Sequence, residues 1–391
     1  MSYDDIRPYQ DHEANHYLHV LLNDEVFAQV LAFIFREEEK IKGIRELLSE
    51  IRSINELQMK FMYPLIKEWI IEKTTSGVTY SGLENLDPSK SYLFFSNHRD
   101  IILDSAILNF IVADAGMNTT EVAVGNNLLI FDWIEHALKL NRCFIVKRNL
   151  PSKELLVASK QLSQYIRESI TRNHDSVWIA QREGRTKDGN DQTQQALLKM
   201  LNLSNEGTLT EGFRELKIVP LSISYEREPC GISKVEELYK REHESYVKTP
   251  ADDFKSMAFG LLKPKGRVHF AFGKPIDSQL DELFYTDNVN EGIQHLAEHI
   301  DSCIYRNYKL WPNNYLAADL LAGSDRYADR VDDSVRDKFN ELLDDLVKTI
   351  GGGDPACQKH LFLQMYANPL LNAERIGKPN VLGSCNVSTS R

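Results

Sequence analysis

Residues 92–104 read YLFFSNHRDIILD. The first six, YLFFSN, form an apolar run of strand length. His98 stands just past its end, and IILDSAILNFIV (101–112) then has the length and composition of a helix. Further short apolar runs follow at EVAVG (121–125), CFIVK (143–147), SVWIA (176–180), LKIVPLSISY (216–225) and RVHFAF (267–272). Helix-length segments at 101–112, 128–140 and 152–170 separate most of them. Strands alternating with helices predict an α/β fold: a mostly parallel sheet with its faces covered by helices.

Outward from that core, residues 1–75 read as an N-terminal helical region. Asn23 and Asp24 can cap a helix whose Val26, Phe27, Val30, Leu31 and Ile34 share a face. Ile54, Leu57, Phe61, Leu65 and Trp69 repeat the pattern, with Pro64 as an expected kink. Packing against the next domain is the favoured use of these faces; docking on a membrane is the competing one. The α/β domain is expected over 76–290. A C-terminal helical region follows over 291–350, broken by GGGDP (351–355), and 351–391 reads as a polar, weakly patterned tail.

The chain has 391 residues and a net charge of −11. That balance argues against a nucleic-acid partner, whose binding would need a broad basic surface. The five cysteines, Cys143, Cys230, Cys303, Cys357 and Cys385, are odd in number, and no Cys-x-x-Cys pair exists. The reading is a reduced, cytoplasmic protein without a metal site. The polar, acidic start is unlike a signal peptide, and no apolar run approaches the ~18 residues of a spanning helix. Any membrane contact is then expected to be peripheral, at the inner face.

His-Arg-Asp is also a triplet of the protein-kinase catalytic loop. A kinase needs Asn five residues after that Asp, and here Ser105 stands there. No Asp-Phe-Gly follows, no glycine-rich loop precedes, and Lys147 comes after the triplet rather than before it. The kinase reading fails. A histidine at a strand's C-terminal end instead suits a ligand site, and an imidazole there can take a proton from a hydroxyl. It needs a carboxylate to fix its tautomer and to stabilise the imidazolium. Asp100, directly before the helix, has a natural job as its cap. Asp104, inside an apolar helix, is costly unless paired, and is the favoured partner. Asp100 remains the alternative.

Basic residues cluster after two later strands. NRCFIVKR carries Arg142, Lys147 and Arg148; IAQREGRTKDG carries Arg182, Arg185 and Lys187. Solvated surface charge accounts for Arg142 and Lys187. The others suggest an anionic substrate beside a base, because the guanidinium fork matches phosphate. Gly184 permits a sharp turn and a close backbone approach. Glu183 can orient an arginine or a substrate hydroxyl. Pro220, inside LKIVPLSISY, suggests an edge strand or a bulge.

In this order the motifs resemble those of the glycerolipid acyltransferases, the glycerol-3-phosphate and 1-acylglycerol-3-phosphate acyltransferase superfamily. SNHRDIILD resembles the block of His, four residues, then Asp, although Asp104 comes one residue later than that pattern. NRCFIVKR resembles the block ending in a phosphate-binding arginine, here Arg148. IAQREGRTKDG resembles the Glu-Gly-(Thr or Gly)-Arg block through Glu183 and Gly184, with Arg185 one position early. IVPLSISYE resembles the Val-Pro block through Pro220, and VHFAFGKPID a later Phe-Gly-x-Pro-Ile segment. The resemblance covers roughly residues 76–280. It implies that a fatty acyl group moves from acyl-CoA or acyl-carrier protein to a hydroxyl of a glycerophosphate or lysophospholipid, 1-acylglycerol-3-phosphate being favoured. No further cofactor is implied. His98 and Asp104 would be catalytic, and Lys147, Arg148, Glu183, Gly184 and Arg185 would bind substrate. An amino-acid-containing lysolipid is the alternative acceptor. A non-catalytic lipid-binding module is the alternative of another class, with little need of a base–carboxylate pair.

Overall fold

Leu93, Phe94 and Phe95 are all completely buried, yet they face two different cores. Successive side chains of a strand point to opposite faces, so a strand apolar on both must be covered on both. In the computed structural model this strand is central. The structure describes residues 2–376 apart from 244, 248 and 287, together with the backbone of residues 385–386. Seven strands form one sheet: β1 (Thr75–Ser81), β2 (Leu93–Ser96), β3 (Glu121–Gly125), β4 (Cys143–Val146), β5 (Val177–Ala180), β6 (Ile218–Tyr225) and β7 (Gly266–Phe272). Their spatial order is β4-β3-β5-β2-β6-β7-β1, and Cys385–Asn386 adds a two-residue antiparallel edge beside β1. β2 to β6 run parallel, whereas β7 is antiparallel to β6 and parallel to β1. The α/β expectation holds, and β1 is a strand that the apolar pattern did not single out.

One face is covered by the helices Ser152–Thr171, Gln195–Asn202, Leu209–Leu216 and Val289–Arg306, whose Ile166, Leu198, Phe213 and Ile300 meet Leu93 and Phe95. The other carries Leu103–Asp114, with Ile107, Leu108 and Ile111 against Phe94, Val219 and Phe270. Residues 54–74 join this second face as a helical run that alternates α- and π-turns. Pro64 sits within it. The helices Asp11–Leu22, Glu25–Phe35 and Glu38–Glu50 build a satellite core around Leu18, Leu48 and Ile51.

Two expectations need correction. Pro220 marks neither an edge nor a bulge: β6 is an interior strand and all eight of its residues are buried. The Pro220 carbonyl accepts from Gly273 N–H, on the β7 side. A strand residue's N–H and C=O face the same neighbour in a parallel ladder, so the missing proline donor also faces β7. There the β6–β7 ladder begins one residue later, at Leu221 and Phe272, so the missing donor falls at the ladder's end.

The tail contains Pro355–Arg375, a 21-residue helix capped by Asp354. It shows no apolar stripe because it is surrounded. Leu361, Phe362, Met365 and Leu370 pack with Leu316, Phe339 and Val235 of three other helices. Its polar residues are used too: Asn368 Nδ2 donates to the Asp188 carbonyl at 2.7 Å, and Asn372 Nδ2 to Asn190 Oδ1 at 3.2 Å. A helix buried on several sides loses the 3.6-residue signature on which a sequence reading depends. The tail beyond residue 376, apart from the backbone of 385–386, lies outside the described residues.

Candidate active site

At the C-terminal end of β2 the chain must leave the sheet without abandoning polar groups. Asn97 manages this with its side chain. Its Nδ2 donates to the Ile223 carbonyl at 2.9 Å, and its Oδ1 accepts from Ile223 N–H at 2.8 Å. The amide thus stands in for one more peptide of β2 against β6. His98 follows with its imidazole 13 % exposed, edge-on to Trp178 of β5 at a ring separation of 5.4 Å. Trp178 is itself held by its Nε1–H to Ser96 Oγ, 3.0 Å.

His98 Nδ1 lies 2.8 Å from Asp104 Oδ2. The same oxygen accepts from the backbone N–H of Arg99, 2.6 Å, and of Asp100, 3.0 Å. Oδ1 accepts from the Tyr225 hydroxyl of β6 at 2.9 Å. Asp104 is completely buried, and burial alone would raise its pKa. The hydrogen bond and charge of His98, with the two backbone donors, outweigh burial and hold the carboxyl below its ordinary range. Burial, then the charges of Asp104 and Asp100, push the Tyr225 phenol far above its ordinary value, so it stays a donor.

Asp100 turns away. Its Oδ1 accepts from Ile102 N–H and Leu103 N–H, each 2.9 Å, at the start of the Leu103–Asp114 helix. It is a cap. Its Oδ2 faces Cys230 Sγ at 3.4 Å. The Pro250–Leu262 helix lies so close that a Cβ on Gly260 would be 2.2 Å from that oxygen. The extra residue between His98 and Asp104 is absorbed in the turn at Ile101 and Ile102 before the helix begins.

A buried charge network backs this turn. Arg99 Nη2 donates to Asp191 Oδ2 at 2.6 Å, and Arg99 Nη1 is 3.7 Å from Glu228 Oε2. Lys234 Nζ donates to the Arg99 carbonyl at 2.7 Å and also pairs with Glu228. Tyr308 donates its hydroxyl to Asp191. Burial opposes the charge on Arg99, but Asp191 and Glu228 more than compensate and raise its pKa. Thr186 N–H donates to the His98 carbonyl at 2.9 Å, tying the loop after β5 to the turn.

The basic candidates meet this turn unevenly. Arg148, past the end of β4, has its backbone N–H on Asn126 Oδ1 at 3.1 Å. Its guanidinium lies against Gly125, where a Cβ would come within 2.8 Å of Cζ. Nη1 is 3.4 Å from Asn127 Oδ1 and 3.5 Å from Glu183 Oε1. The structure therefore brings Arg148 and Glu183 together. Gly184 has φ +70°, which glycine adopts without strain, but its missing side chain faces open space. The turn is as expected and the close approach is not. Arg185 is buried, and its Nη1 has no hydrogen-bond partner among the described residues. The Lys147 ammonium is engaged by Asp5. Arg142 pairs with Asp175 before β4 and β5, at the opposite end of the sheet, and Lys187 pairs with Glu237.

Asn97, Arg99, Asp191, Tyr225, Glu228 and Lys234 were missed by sequence reasoning. Only Arg99, a charge beside His98 in an apolar stretch, carried a signal that could have found it. The thiols of Cys230, beside Asp100, and of Cys143, at the start of β4, are both pushed up to about 12 by burial, helped by Asp100 and Glu121 respectively.

Residues 77–224 match the acyltransferase family model. No curated protein matches the chain. Among solved structures it is similar to the 1-acyl-sn-glycerophosphate acyltransferase PlsC of Thermotoga maritima, with 11% identity and a TM-score of 0.39 over 74% of this chain and 91% of that one. The span 77–224, which contains His98, Asp104, Arg148 and Glu183, is thus similar to an acyltransferase domain.

Proposed function

We propose that this enzyme transfers a fatty acyl group from acyl-CoA or acyl-carrier protein to a free hydroxyl of a glycerophosphate or lysophospholipid, with 1-acylglycerol-3-phosphate favoured. The observation that carries the reading is the buried His98–Asp104 pair at the strand ends, on the rim that also bears Arg148. With the Nδ1 proton assigned to the bond with Asp104, the Nε2 lone pair is left to accept a proton.

His98 Nε2 takes the acceptor's hydroxyl proton as that oxygen attacks the thioester carbonyl. The C–O bond forms, the tetrahedral intermediate collapses, and the C–S bond breaks. The imidazolium returns its proton to the departing thiolate, so His98 ends neutral and the products are an ester and a free thiol. Asp104, buried yet ionised, stabilises the imidazolium in between. Arg148 and Arg185, with Lys147, hold the acceptor phosphate, and Glu183 steadies Arg148. Transfer is read as direct, with the acceptor hydroxyl as nucleophile and no acyl-enzyme; the thiol beside the turn, Cys230, is buried and bonded to the Ser256 carbonyl. The reaction needs no cofactor beyond the thioester donor. We place the enzyme in the cytoplasm, in peripheral contact with the inner face of the membrane.

Thiol release from acyl-CoA or acyl-carrier protein, measured with a panel of lysolipids, tests this reading. Turnover fastest with the phosphomonoester acceptor is the expected result. Preference for an amino-acid-containing lysolipid would overturn the acceptor assignment. Thiol release with neither donor would overturn the reaction.

A further inference from the structure

The Ser152–Thr171 helix is anchored at one end only. Its buried residues begin at Leu162 and continue through Tyr165, Ile166 and Ile170. Every residue from Pro151 to Val157 is exposed. Within that end three consecutive large apolar side chains stand in the open: Leu155 at 42 %, Leu156 at 61 % and Val157 at 64 % exposure. Consecutive residues of an α-helix point roughly 100° apart. No single groove of a protein partner can cover three such directions, whereas a medium that surrounds the helix end can. Phe131, 51 % exposed, follows the neighbouring strand β3 at the same rim.

Charge agrees with that choice of occupant. Between residues 147 and 160 stand Lys147, Arg148, Lys153 and Lys160, against the single acid Glu154; Lys147 meets Asp5 and Arg148 loosely meets Glu183, so Lys153 and Lys160 carry the local excess. A basic, apolar projection suits an anionic lipid surface. From Ser152 to Val157 the helix rises about 9 Å, comparable with the ~5–10 Å by which interfacial elements enter a bilayer. Among the described residues no single helix is long and apolar enough to cross a membrane.

We propose that the Pro151–Val157 helix end, with Phe131 beside it, inserts into the surface of an anionic lipid bilayer. Arg148, three residues before Pro151, then stands at headgroup level, where an acceptor's phosphate lies. This last step rests on the acceptor being a membrane lipid, as proposed above; the docking itself does not.

The test is co-sedimentation of the full chain with vesicles of phosphatidylglycerol and phosphatidylcholine, and with phosphatidylcholine alone. The wild type should bind the anionic vesicles more tightly. The triple variant L155S/L156S/V157S should lose at least tenfold in partitioning, while acyl transfer to a dispersed short-chain acceptor stays unchanged. A Leu156→Trp variant should show blue-shifted emission, quenched by brominated lipid. Absence of vesicle binding by the wild type, equal binding by the triple variant, or unquenched emission from the introduced indole would each overturn the docking surface. None of these readouts requires turnover. Loss of transfer by the wild type to every dispersed acceptor would instead count against the proposed reaction.

Discussion

The His98 turn and the Arg148 rim, both at the C-terminal ends of parallel strands, are built in opposite ways. At the turn the carboxylate is fully engaged. Asp104 accepts from His98, two backbone amides and Tyr225, and is wholly buried. At the rim Arg148 is partly exposed, and its side-chain contacts are long, 3.4 Å to Asn127 and 3.5 Å to Glu183. On the proposed reaction, the groups aligned for proton transfer would be fixed before substrate arrives, while the group that binds and releases an anion would stay loosely held. The charges at the turn are buried and closely paired; Arg148 at the rim is partly exposed and loosely held.

The comparison breaks most visibly at His98. His98→Ala should remove base catalysis, on the order of 10²–10⁴-fold in kcat, with circular dichroism unchanged. Near-normal turnover in that variant would end the mechanism. Asp104→Asn should fall in the same range, because it removes the charge that stabilises the imidazolium. If Asp100→Asn lost as much activity, the pairing inferred from geometry would be wrong.

Arg148→Ala tests the rim. It should raise KM for a phosphorylated acceptor by roughly 10–100-fold, the loss of a charge-assisted hydrogen bond, with kcat largely kept. A drop confined to kcat would move Arg148 from binding into the chemical step.

Tyr225→Phe sharpens the contrast. Without the phenol, the Asp104 carboxylate loses one of its donors. The variant should therefore lose several-fold in kcat with KM for the acceptor little changed, because the carboxylate behind His98 is less firmly held. Loss of stability with unchanged kcat would make Tyr225 a packing residue only. The smallest effect belongs to the cap: Asp100→Ala should cost about 1 kcal/mol of stability in denaturant titration and little activity.

How much of this was legible in the chain differs by element. β2 to β7 were readable because residues buried on both faces give short unbroken apolar runs. β1 was missed because TSGVTYS is small and polar. The Pro355–Arg375 helix was missed because burial from several sides erases its stripe. Asp104 was legible as a carboxylate too costly to bury alone. Tyr225 was not, since nothing in IVPLSISY shows that its last hydroxyl meets a carboxylate 121 positions earlier.

By itself the sequence determined the strand–turn–helix unit, the alternation that makes the sheet, and the choice of Asp104 over the nearer Asp100. Each follows from local periodicity or from the cost of burying a single charge. Only the tertiary structure decided what surrounds that pair. The fourth bond to Asp104, the Arg99–Asp191–Glu228 support and the meeting of Arg148 with Glu183 all join residues far apart in the chain. Their contact depends on the order in which parallel strands are laid side by side, and that order is set by crossover connections rather than by any local run of residues.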